Sequence, residues 1–111
     1  MSEFYNKVDY YKKVMYELGL EFDADLLTAV TKGLGPSIYK ENSEILRGTS
    51  EEDLTTVKQS FLNKKLGVYD ESRYDDAISY VVNKMGAETK KYRAIFYYLL
   101  VKKLRREYVY E

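Results

Sequence analysis

The side chains of this chain that could do chemistry are carboxylates, lysines, arginines, tyrosines and hydroxyls, because it contains no cysteine and no histidine. That absence excludes disulfides, thiolate or imidazole zinc sites, cysteine or serine–histidine nucleophiles, and a histidine pH switch. No cofactor and no metal is expected. Paired carboxylates stand at Asp23/Asp25, Glu51/Glu52/Asp53 and Asp75/Asp76. General acid–base work needs carboxyls gathered in a cleft. These instead lie at expected helix starts, where acids cap free N–H groups and suit the helix dipole. Asp23-Ala24-Asp25 also lacks the further ligands and the glycine of a calcium loop. The residues point to a non-enzymatic protein.

Three other groupings could bind rather than react. In the loop Thr31 to Ser37, Gly33 and Gly35 let a backbone approach a ligand, Ser37 falls in the first turn of a new helix, and Lys32 adds a charge. This is an anion or small-ligand candidate, or else a tight helix-to-helix corner in which glycine and Pro36 act only through geometry. The second grouping is Lys102, Lys103, Arg105 and Arg106. Residues 88–111 carry seven cations and three acids, so this end is about +4 and the remainder about −4, for a net charge of zero. With Tyr97, Tyr98 and Tyr108 among them, these cations could bind nucleic acid, or simply stabilise a helix C-terminus. The third is the tyrosines, 13 in all. Tyr5, Tyr10, Tyr11 and Tyr16 spread too widely round one helix to be buried together, so some are expected at a protein interface or at the wet edge of the core.

The elements that must position these residues read as helices. Tyr92 to Leu104 places Tyr92, Ile95, Phe96, Leu99, Leu100 and Leu104 on one face, while Ala94, Tyr97, Tyr98 and Val101 fill much of the rest. A helix apolar most of the way round belongs inside a bundle. A first helix is expected over 3–18, burying Phe4, Val8, Tyr11, Met15 and Leu18 and stopped by Gly19, with Leu20 folding back toward Met15. Asp23 caps a second over 24–32, carrying Leu26, Leu27 and Val30, and a short turn follows from Pro36 to Tyr39. Ile45 and Leu46 anchor a polar connection. Thr49 with Glu52, or Ser50 with Asp53, starts a third helix that runs to Leu66 through Leu54, Val57, Phe61 and Leu62. Asp70 or Ser72 starts a fourth over 73–85, and Glu88 or Thr89 opens the last, which frays after Arg106.

Two stretches, VTKGLGPSIY from Val30 to Tyr39 and KYRAIFYYLLVKKL from Lys91 to Leu104, with LTTVKQSFLNKKLGV between them, resemble the small bacterial family called domain of unknown function 2853. The resemblance runs from about Asp23 to Leu104. Residues 1–22, which hold the N-terminal helix, and the tail lie outside it. It implies a compact bacterial domain and carries over no catalytic residue.

The expected fold is all-α: one domain over 1–111, a compact bundle of about five helices with a central, mostly buried C-terminal helix and a frayed tail at 107–111. The N-terminus is mixed in charge without an apolar core, and no run approaches the roughly 18 apolar residues of a membrane span. The expected compartment is the cytoplasm, with no membrane. The expected function is a protein-interaction module, through a partner or self-association. The alternatives are nucleic-acid binding at the basic end and ligand binding at Gly33–Ser37.

Overall fold

Helix α6, Arg93–Leu104, sets the architecture of the computed structural model, in which residues 2–46, 50–86 and 90–111 are described. Nine of its twelve residues are buried, as its all-round apolar sequence requires. Helix α5, Tyr74–Met85, and helix α2, Ala24–Gly33, pack along it, and α1, Glu3–Glu17, closes another side. The all-α bundle is therefore as expected. The radius of gyration is 13.0 Å, against ~13 Å for a compact chain of this length.

The helix ends follow local chemistry. Ser2 caps α1, and α1 closes with Leu20 N donating to Met15 O over Gly19 at φ 71°. Asp23 Oδ1 caps α2 by accepting from Asp25 N and Leu26 N. At the third helix Ser50 is the cap, its Oγ accepting from Asp53 N, whereas Thr49 lies outside the described residues. Glu88 and Thr89 lie outside them as well. Asp70, not Ser72, caps the turn that leads into α5. Helix α6 ends at Leu104, where Arg105 adopts a left-handed conformation and Arg106 N donates to Val101 O. Residues 107–111 do not fray: Glu107–Tyr110 form a 3₁₀ turn that packs back on α2.

Two features depart from the expected bundle. The polar connection contains a one-turn helix, α3 (Glu41–Glu44), and a strand, β1 (Ile45–Leu46), which pairs antiparallel with β2 (Lys91–Tyr92). Helix α4, Glu51–Thr56, runs directly into a π-helical segment, Val57–Lys65. There, buried Val57, Phe61, Leu62 and Leu66 are spaced by four and five residues. Hydrogen bonds from i to i+5 widen the turn, so residues four and five apart share a face, which an α-helix would splay. Nine residues is long for such a segment.

Candidate functional site

Two recesses lie beside the β1–β2 pair and share no lining residue. Consecutive residues are divided between them: Glu44 and Tyr92 line one, Ser43 and Arg93 the other. Arg93 Nε donates to Ser43 O at 2.7 Å and clamps the wall between them.

The first is a groove of about 580 Å³. Glu3, Asn6, Lys7 and Tyr10 of α1 form one side, a stripe at i, i+3, i+4 and i+7. Tyr39, Glu44 and Tyr92 form the other. Glu44 is the centre of its bonding. Its Oε2 accepts from Lys7 Nζ at 2.9 Å and from Tyr11 OH at 2.6 Å, and its side chain is only 13% exposed. Oε1 has no protein donor among the described residues. Burial, reinforced by the bond to Glu44, holds the Tyr11 phenol well above the ordinary tyrosine range. The Tyr10 and Tyr92 hydroxyls lie 2.8 Å apart and their rings meet edge-on at 5.5 Å. Burial, followed by the bond with Tyr10, pushes Tyr92 up to about 12. The lining carries two carboxylates against one lysine.

The second is a cleft of about 380 Å³ that contains part of the glycine loop. Gly33 and Ser37 line it with Ser43, Thr56, Ser60, Lys65, Arg93 and Tyr110, over Phe61 and Tyr97 stacked at 3.8 Å. Lys65 Nζ lies 5.1 Å from the Tyr110 ring centre, and Arg93 Nη1 donates to Tyr97 OH at 2.7 Å. Burial raises Tyr97, offset in part by Arg93, and raises Tyr110 to about 12. Lys32 and Gly35 are exposed and do not line the cleft. At Gly35 the backbone sits at φ 61° with open space where a Cβ would go, so its role is the turn.

The basic end is spread among separate tasks. Lys102 pairs with Glu107 at 3.3 Å, and Lys103 lies 4.7 Å from the centre of the Tyr80 ring. Arg106 donates to Leu66 O and Leu104 O, while Arg105 forms the helix end. The paired acids remain dispersed: Asp75 bonds Lys58 at 2.9 Å, and no group of three possible metal ligands occurs among the described residues. Among the first-helix tyrosines Tyr11 is fully buried, whereas Tyr5 and Tyr16 are open on a flank away from the groove. Glu44, Lys65 and Tyr110 are among the lining residues that the residue patterns did not single out, and Arg93 was counted only with the basic end. Glu44 bonds residues 33 and 37 positions away, a separation that no local periodicity marks.

A family model described as "Protein of unknown function (DUF2853)" matches residues 9–108 of the 111. The chain belongs to that family. The match reaches into α1 and past Arg105, beyond the stretches that carried the resemblance. No curated protein matches the chain. Among the described residues no helix is long and apolar enough to cross a membrane.

Proposed function

We propose that this family member is a non-enzymatic binding protein of the bacterial cytoplasm that receives a cationic side chain of a partner protein in the α1 groove. The observation that carries this reading is the joining of Tyr10, Tyr39 and Tyr92 in one recess with Glu44, whose Oε1 meets no donor among the described residues. Tyrosine faces attract an ammonium or guanidinium group, and a carboxylate oxygen accepts its hydrogen bonds. Tyr10 and Tyr39 are 45% and 44% exposed, so two of the three rings are open to a partner. Tyrosine is also enriched at protein interfaces, where it supplies apolar area with a polar tip. The lack of cysteine suits a reducing compartment.

Residue-resolved NMR with short acetylated peptides tests this, one carrying a central lysine and one carrying norleucine there. Saturable shifts at Asn6, Tyr10, Tyr39, Glu44 and Tyr92 with the lysine peptide alone are expected. Equal shifts with both peptides, or none with either, would sink the reading.

A further inference from the structure

We propose that the second cleft binds a small organic anion, a carboxylate or phosphate carried on an apolar body, with Lys65 and Arg93 as its counter-charges. In a chain whose net charge is zero, the described residues that line this cleft include two cations and no acid. Among the described residues neither cation has a carboxylate within ion-pair distance. Asp53, whose charge acts on Tyr97, is not among the lining residues. A ligand anion would supply what the lining lacks.

The donors are already oriented. Arg93 uses Nε on Ser43 O and Nη1 on Tyr97 OH, so its planar fork is fixed, while other guanidinium N–H groups remain for a ligand. Three of the four lining serine and threonine hydroxyls donate to backbone carbonyls: Ser37 to Leu34, Ser43 to Ser37 and Thr56 to Glu52. The Ser60 hydroxyl makes no hydrogen bond among the described residues, which leaves it for the anion. The stacked Phe61 and Tyr97 rings, both nearly buried, provide an apolar base. A volume of about 380 Å³ lies within the roughly 300–1,000 Å³ of small-molecule sites.

The π-helical segment is what assembles this wall. Thr56, Ser60, Phe61 and Lys65 are spaced by four and five residues, and all four line the cleft. An α-helix would turn Thr56 and Lys65 to opposite sides, whereas the wider winding gathers them. The site rests on different residues from the groove and does not depend on the reading given above.

The test is an NMR titration with phenyl phosphate at low and high salt, against inorganic phosphate and benzyl alcohol as probes lacking one half of the ligand. Saturable shifts at Gly33, Ser60, Lys65 and Arg93 are expected, with phenyl phosphate binding tighter than either half. Lys65 is exposed, so Lys65→Gln should keep the fold and weaken binding by about five-fold or more, as should raised salt. Glu44→Gln, in the other recess, should leave this affinity unchanged. Absence of saturation, unchanged affinity in Lys65→Gln, equal binding of benzyl alcohol, or shifts centred on Lys102 to Arg106 would each overturn the proposal.

Discussion

The two recesses flank one wall and differ in nearly every chemical respect. On the α1 side the lining is tyrosine and carboxylate, and its only cation, Lys7, is already bonded to Glu44. On the other side the lining is cationic and hydroxylic, and its charges have no acidic partner among the described residues. Glu44 and Arg93 belong to chain segments that the β1–β2 pairing brings together, yet they serve opposite fields. One short ladder thus separates two recesses whose described linings differ in charge. A net charge of zero conceals this, because the sum over a chain carries no information about where charges meet.

The wall itself offers the largest effect. Arg93→Ala removes the bonds to Ser43 O and Tyr97 OH, so a loss of about 2–3 kcal/mol is expected by urea unfolding, with spectral changes in both recesses. Changes confined to the cleft would show that the wall does not hold the groove. Glu44→Gln tests the groove alone. It weakens the charge-assisted bonds from Lys7 and Tyr11, and about 1–2 kcal/mol should be lost without movement at Ser60 or Lys65.

Alkaline titration compares the two recesses directly. Tyr92 in one and Tyr110 in the other are both raised from 10.0 to about 12. The unfolded chain then loses these protons first, so stability is complete below pH 10 and falls as pH rises from 10 toward 12. Tyr92→Phe and Tyr110→Phe should each flatten that fall, read by urea unfolding across the same window. A slope that neither substitution alters would place the alkaline sensitivity elsewhere. The smallest effect belongs to the glycine loop. Gly35→Ala meets open space but an unfavourable φ, so about 1 kcal/mol of stability should go while phenyl phosphate binding stays intact. A loss of binding would return Gly35 to the site.

Much of the bundle was legible in the residues. The stripe Val8–Tyr11–Met15, the cap at Asp23, the stop at Gly19 and the all-round apolar run of α6 each act within one or two helical turns, so they appear as local patterns. The glycine loop was legible in part: Gly33 and Ser37 reach the cleft, but Lys32 and Gly35 face away from it. The folded-back tail was not legible. Its packing depends on Tyr110 meeting Gly33 and Lys65, residues far from it in sequence.

By itself the sequence determined the all-α class, a central C-terminal helix, the exclusion of cysteine and histidine chemistry, and the family. The first three follow from composition and from spacings of three and four residues, and the family from the resemblance of whole stretches. Only the tertiary structure decided which charges meet. Ion pairs, hydrogen bonds and recess linings join residues tens of positions apart, and their energies depend on a separation that exists only once the chain has closed.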